Sequence, residues 1–351
     1  MTNNTKHLYI HIPFCKAICT YCDFYRTKTN DKNLINQYIQ KIVNEIKQDN
    51  NVYQTIYIGG GTPNFLDDKL LNQLLSALNQ KRAKDCEFTI EANPEFINNS
   101  QCEILKHNQV NRVSLGIQTT NDTILALLKR THQFKDCVNA IKILKKFQIY
   151  NISCDFIYNL PLLKITDLKK SFAFIKTYQI PHVSFYALEV KSGAILNKLN
   201  YKIDEDREAI QLEYLKNEFI KLNYNRYEIS NWAINPSFES LHNLAYWNLE
   251  DWKAIGIAAY GYEKNVYYHN QGTLLEWEKN NTFWDDKETY INTFIMGLRK
   301  KNGIDLTIPR NLNAFDYLKN KLNFKLLTIE NNFIKAKNFD LLNEILLDII
   351  D

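Results

Sequence analysis

Short apolar runs alternate with longer amphipathic ones through the first two thirds of the chain, the rhythm of parallel strands joined by helical crossovers. Six strands are expected, at Leu8 to Ile12, Thr55 to Ile58, Phe88 to Glu91, Arg112 to Ile117, Ile152 to Ile157 and His182 to Leu188. Between them the apolar period lengthens to that of a helix. Leu34 to Lys47 places Leu34, Tyr38, Ile42 and Ile46 on one face, and Lys69 to Leu78 follows Asp67 and Asp68, two candidate caps. Another helix is expected from Asp204 to Leu222, then an aromatic-rich irregular stretch holding Tyr227 to Trp232 and His242 to Trp247. After Thr282 the pattern changes to helices at Tyr290 to Leu298 and Asn313 to Leu322, a hairpin around Asn331-Asn332, and a last helix from Phe339 to Ile350. The fold expected is α/β: a partial (β/α)6 TIM-like barrel over residues 1–235, a connecting segment over 236–284 and a small C-terminal winged-helix-like domain over 285–351.

The residues with chemistry gather where the strands end. Cys15 follows the first strand, Gly59-Gly60-Gly61-Thr62-Pro63 the second, Glu91 and Asn93 close the third and Gln118 the fourth. Asp155 lies within the fifth strand and Tyr186 late in the sixth. In a βα barrel those ends converge on one mouth, so a single site built from distant segments is expected.

Composition narrows the class. The 351 residues carry 43 basic against 39 acidic side chains, a near balance that argues against a nucleic-acid partner. Met1 to Pro13 contains no apolar core of a signal peptide, and no apolar stretch approaches the roughly 18 residues of a membrane span, so a cytoplasmic protein is expected. The cysteine count is seven, an odd number that argues against a disulfide framework. Cys86, Cys102, Cys137 and Cys154 fall inside strands or helices and read as small buried hydrophobes.

The other three cluster. Cys15-Lys-Ala-Ile-Cys19-Thr-Tyr-Cys22 offers three thiolates within one short loop, the ligand type that holds iron-sulfur clusters. With three protein ligands on a [4Fe-4S] cubane, one iron keeps positions open for the amino and carboxylate groups of S-adenosylmethionine (SAM), whose C–S bond the cluster can then cleave reductively. Zinc is the alternative, but it wants four ligands and no second Cys or His pair follows. His11 could complete such a site only from within a strand.

These motifs resemble the radical SAM superfamily and, within it, the oxygen-independent coproporphyrinogen oxidase group. Tyr9-Ile-His11-Ile-Pro-Phe-Cys15 with Cys19 and Cys22 is similar to the group's signature, and Gly59 to Pro63 to its SAM amino-group loop. Glu91-Ala-Asn93-Pro94, Ser114-Leu-Gly116-Ile-Gln118, Lys129-Arg130-Thr-His132, Asp155 and Leu160-Pro161 follow in family order. The resemblance implies a cluster on Cys15, Cys19 and Cys22, contacts from Tyr9, Gly60 and Glu91 to the bound SAM, and a pocket completed by Tyr21, Gly61, Thr62, Gln118, Arg130 and Asp155.

Phe24 stands where the oxidases carry a fourth cysteine, and that pattern is similar to the HemW family of heme chaperones. The resemblance then implies heme as a ligand, heme-accepting proteins and an electron donor as partners, and His242 of His242-Asn243-x-x-Tyr246-Trp247 as the heme contact. The bland reading of His242, a histidine hydrogen-bonded beside core aromatics, stays open. So do an oxidative decarboxylase of coproporphyrinogen III, a related radical SAM reaction, and a cluster protein without SAM chemistry. Departures fall on the substrate side: Gly256-Ile257-Ala258-Ala259-Tyr260-Gly261 replaces a Gly-Ile-Gly-Pro-Gly-Ala segment, Tyr267 a basic residue, Lys191 and Ala194 an acid and a threonine, and Asn159 a glycine.

Overall fold

A twelve-stranded mixed sheet carries the six expected strands side by side at its centre. They are β1 (His7–Ile12), β2 (Tyr53–Gly60), β3 (Arg82–Ala92), β4 (Arg112–Gln118), β5 (Asn151–Tyr158) and β6 (His182–Ala187), each parallel to the next. The structure is a computed structural model that describes residues 5–350; residues 1–4 and 351, which the sequence reading places in the first and last domains, lie outside the described residues.

Helices α1 (Lys32–Gln48), α2 (Asp68–Ala77), α3 (Asn99–His107), α4 (Phe134–Lys146) and α5 (Ile165–Thr177) make the crossovers, and α6 (Glu205–Lys221) follows β6. Asp31 caps α1 by accepting from the N–H groups of Asn33 and Leu34, and Asp67 caps α2 by accepting from Leu70. The buried stripe of α1 is Ile35, Tyr38, Ile39, Ile42, Val43 and Ile46, so Leu34 sits at its border.

In-register pairing gives the six strands two chemically different faces. Leu8 pairs with Ile56 and Ile56 with Phe88, while Ile58 pairs with Ile90 and Ile90 with Val113; these rows join the core under the helices. On the other face His7 pairs with Thr55, Tyr9 with Tyr57, Tyr57 with Thr89, Ser114 with Ser153 and Gly116 with Asp155. Strands buried on both sides usually read as continuous apolar runs. Here the inner face is polar and lines one enclosed space.

The structure departs from the sequence reading after α6. The aromatic stretch is not irregular: Leu241–Trp247 forms helix α7, whose cap Ser240 accepts from Asn243 N–H. Glu87, reaching up from β3, accepts from the N–H groups of Leu241 and His242, supplying acceptors that so short a helix lacks at its N-terminus. Trp252–Ile255 (β7) then pairs in parallel with β1, and Tyr260–Glu263 (β8), Val266–Gly272 (β9) and Trp277–Phe283 (β10) extend the sheet antiparallel. Strand β10 is almost wholly exposed and reads as polar sequence, so no apolar alternation marks it.

The C-terminal helices Asp286–Gly297, Pro309–Leu318 and Leu342–Ile350 surround a three-stranded sheet whose hairpin turns at Asn331 and Asn332, both at positive φ. Phe294, Leu298, Ile334 and Ile345 form their separate core. No helix among the described residues is long and apolar enough to cross a membrane.

Candidate cofactor site

Beyond Ile12 the loop carrying the cysteines is stitched to the glycine loop after β2. Gly61 N–H donates to Ile12 O and Thr62 N–H to Phe14 O, both at 2.8 Å, and Thr27 N–H donates to Pro13 O at 2.7 Å. The two loops therefore share one wall of a cavity of about 450 Å³. Cys15, Cys19 and Cys22 line it as free thiols, Cys15 buried and the others half-buried.

Thr62 Oγ1 donates to Cys15 Sγ at 3.6 Å, and Arg130 Nη1 donates to Cys19 Sγ at 3.7 Å. Arg130 is itself fixed by donating to Gly116 O at 2.6 Å and Asn93 Oδ1 at 2.8 Å. Burial pushes the Cys15 thiol up and that of Cys22 to about 11, so both hold protons that a metal must displace. Among the described residues no three Cys, His, Asp or Glu side chains converge on a point that one metal ion could occupy. Three thiols without a fourth Cys or His fall short of the four ligands of a structural zinc site. Their chemistry fits an iron-sulfur group, and Arg130 and Thr62 would supply donors to its cysteine sulfurs.

The opposite wall comes from the strand ends. Glu91 Oε1 accepts from Tyr57 OH at 2.8 Å and Oε2 from Gly60 N–H at 3.0 Å. Burial pushes its carboxyl up to about 7, while the Tyr57 and Gly60 donors pull it down and the Asp155 carboxylate raises it. Asp155 is also raised, by burial, against the hydroxyls that favour its ionised form; Ser114 donates to it at 2.8 Å and Ser153 at 3.1 Å. Gln118 stands at φ +65 beside a register shift between β4 and β5, a bulge that turns its side chain to the cavity. Tyr21, Gly60, Gly61, Thr62, Glu91, Gln118, Arg130 and Asp155 thus all line the same space as the cysteines. Phe24 and Tyr186 also line the cavity, Tyr186 with its hydroxyl pushed up by burial and by Asp155, and Lys191 beside them pairs with Asp23 and Glu189 at 3.6 and 3.2 Å.

Two residues expected in the site are set apart. Tyr9 points its hydroxyl at His11 Nδ1, 3.0 Å away, and does not line the cavity. His242, expected as the heme contact, does not line the cavity of the cysteines. It is 1 % exposed, with Nδ1 2.6 Å from Thr55 Oγ1 and Nε2 2.8 Å from Tyr246 OH. Trp247 is likewise occupied, donating to Glu228 at 2.7 Å, and Tyr227 and Trp232 are buried packing residues. Sequence reasoning missed Tyr57, which reaches the cavity floor; the period-two spacing of Thr55, Tyr57 and Gly59 was the available signal.

The family model of the radical SAM superfamily matches residues 9–175. The chain is 33% identical over 320 residues to the heme chaperone HemW of Lactococcus lactis, covering 87% of this chain and 84% of that one. It is 32% identical over 321 residues to the heme chaperone HemW of Bacillus subtilis, covering 85% and 84%. In three dimensions it is similar to the radical SAM enzyme coproporphyrinogen III oxidase (HemN) of Escherichia coli, with a TM-score of 0.83, 17% identity and coverage of 99% of this chain and 90% of that one.

Proposed function

Because this chain belongs to the HemW family of the radical SAM superfamily, we propose that it is a heme chaperone that holds a [4Fe-4S] cluster and SAM in the 450 Å³ cavity and passes heme to acceptor proteins. The observation that carries the cofactor reading is the gathering of three free thiols, the Gly60 to Thr62 loop, Glu91 and Asp155 around one cavity. Cys15, Cys19 and Cys22 would hold the cluster, with Arg130 and Thr62 donating to the sulfurs of Cys19 and Cys15. When bound, the cluster supplies one-electron chemistry toward the SAM sulfonium. Glu91 and Asp155 offer carboxyl oxygens to the amino and hydroxyl donors of SAM.

His242 is buried, and the heme surface proposed here lies on the cavity instead. Phe24 and Tyr186, whose rings line the cavity, are those against which an apolar macrocycle would lie. Phe24 also separates this reading from the decarboxylase, because it occupies the place of the oxidases' additional cysteine.

The test is one anaerobically reconstituted preparation given heme, or coproporphyrinogen III with SAM and a reductant. The chaperone reading expects a shifted Soret band, its loss in a Phe24→Ala/Tyr186→Ala double variant, heme release to an acceptor apoprotein, and no protoporphyrinogen IX. Sustained formation of protoporphyrinogen IX with SAM consumption overturns it.

A further inference from the structure

The His242-Asn243-x-x-Tyr246-Trp247 helix does not line the cavity, and its contacts give it another task. The ring of Tyr57 lies between two others: Tyr9 at 6.2 Å and 27°, and His242 at 5.1 Å and 23°. On its far side His242 belongs to a chain of hydrogen bonds that runs inward from the half-exposed Glu250. Glu250 Oε2 is 3.2 Å from His7 Nε2, His7 Nδ1 is 2.9 Å from Thr55 Oγ1, Thr55 Oγ1 is 2.6 Å from His242 Nδ1, and His242 Nε2 is 2.8 Å from Tyr246 OH.

Only one proton sits on Thr55 Oγ1, so the tautomers of the two histidines are tied together. When a singly protonated His7 donates to the Glu250 carboxylate, its Nδ1 accepts from Thr55. Thr55 must then accept from His242 Nδ1–H, and His242 Nε2 accepts from Tyr246. The helix end is clamped as well, because Glu87 accepts the N–H of His242 at 3.0 Å. His242 is therefore held in one orientation and one tautomer. Burial, with His7 beside it, holds its pKa well below the usual value, which keeps it neutral.

We propose that His242 is a positioning residue for the cofactor cavity: it fixes the ring of Tyr57, and Tyr57 fixes the Glu91 carboxyl that SAM meets. This rests on the reading of the cavity as a SAM site. The lever is short, since Tyr57 OH donates to Glu91 Oε1 at 2.8 Å. Glu91's second oxygen is held by the Gly60 N–H, so among the described residues Tyr57 is the one side chain that donates to that carboxyl.

Two variants separate the steps. Tyr57→Phe keeps the stacked ring and removes only the hydroxyl; His242→Ala removes the surface behind the ring. In reconstituted protein each is expected to weaken SAM about tenfold, read by titrating the SAM-induced change in the EPR signal of the reduced cluster, with iron content and the Soret band of added heme as in the wild type. His242→Gln, whose amide can meet Thr55 and Tyr246 together, should recover part of the affinity. In cluster-free protein Tyr57→Phe should also move the Glu91 carboxyl band to a higher titration midpoint by infrared spectroscopy, because a donor to the ionised form is gone. Wild-type SAM affinity in Tyr57→Phe overturns the inference, as does a His242→Ala protein that loses the heme band and keeps its SAM response. If SAM leaves the wild-type spectrum unchanged, the SAM reading of the cavity fails and this inference falls with it.

Discussion

The Gly60 N–H donates to the Glu91 carboxylate across 3.0 Å, joining the tip of one strand to the tip of the next. That carboxylate occupies the space beside Gly59, where an added Cβ would come within 2.8 Å of Glu91 Cδ. Gly60 itself stands at φ +113, with the His11 ring 2.6 Å from where its Cβ would be. No residue but glycine meets both demands at this corner.

Gly59→Ala should therefore displace Glu91 without touching the thiols, and Gly60→Val should distort the loop that binds the cysteine segment. Both are expected to keep iron and to lose most of the SAM effect on the cluster's EPR spectrum. An undiminished SAM effect in Gly60→Val would show that the loop takes no part in binding.

Iron content tests the thiols directly. Anaerobically reconstituted protein should carry about four irons per chain, and replacing Cys15, Cys19 and Cys22 together with alanine should abolish that content and the broad visible absorbance. Replacing Cys86, Cys102, Cys137 and Cys154 should leave the cluster spectrum unchanged, because all four are buried away from the cavity. Iron retained by the triple variant would place the cluster elsewhere.

The Glu91 carboxyl gives the cluster-free protein a pH signature. Its value rises from 4.5 to about 7 on folding, so between those limits the folded chain keeps a proton that the unfolded chain has lost. The stabilising contribution is fully present below the lower value and gone above the upper one, an effect of about 3 kcal/mol. Urea midpoints should fall between about pH 4.5 and about pH 7 more steeply in the wild type than in Glu91→Gln, which has no proton to lose. Parallel slopes would contradict the burial argument.

Ala258 holds φ +58, a left-handed position where the family segment has glycine. An alanine there strains the backbone, and Ala258→Gly should stabilise the protein by about 1 kcal/mol, measured by chemical denaturation. No gain in midpoint would mean that packing of the Ala258 methyl offsets the strain. Asn159 shows the opposite adjustment: at φ +59 it also replaces a family glycine, but its side chain accepts from Arg207 at 2.7 Å and donates to Asp204 O and Glu208, each at 3.0 Å.

The strand rhythm, the three-cysteine loop and the polar residues at strand ends are local properties, and they were legible because periodicity and spacing are written in consecutive residues. A barrel brings strand ends together whatever their separation in sequence, so Cys15, Gly60, Glu91, Gln118 and Asp155 could be assigned to one mouth before any fold was known. The alternation of Thr55, Tyr57 and Gly59 was written there too, though a polar face in a parallel sheet becomes meaningful only once that face is seen to enclose a space.

Position relative to partners far along the chain was not legible. His242 could be named as a chemically able residue, but its surroundings depended on Thr55, 187 residues away, and on its own burial on helix α7. Strands β7 to β10 were equally hidden, because pairing with β1 and with one another replaces the apolar alternation that would have announced them. The sequence by itself determined which residues could do chemistry and which strand ends they crown. Tertiary structure decided which of them face the cavity and which are spent holding it open, because a side chain's free valences are settled by the neighbours that folding brings to it.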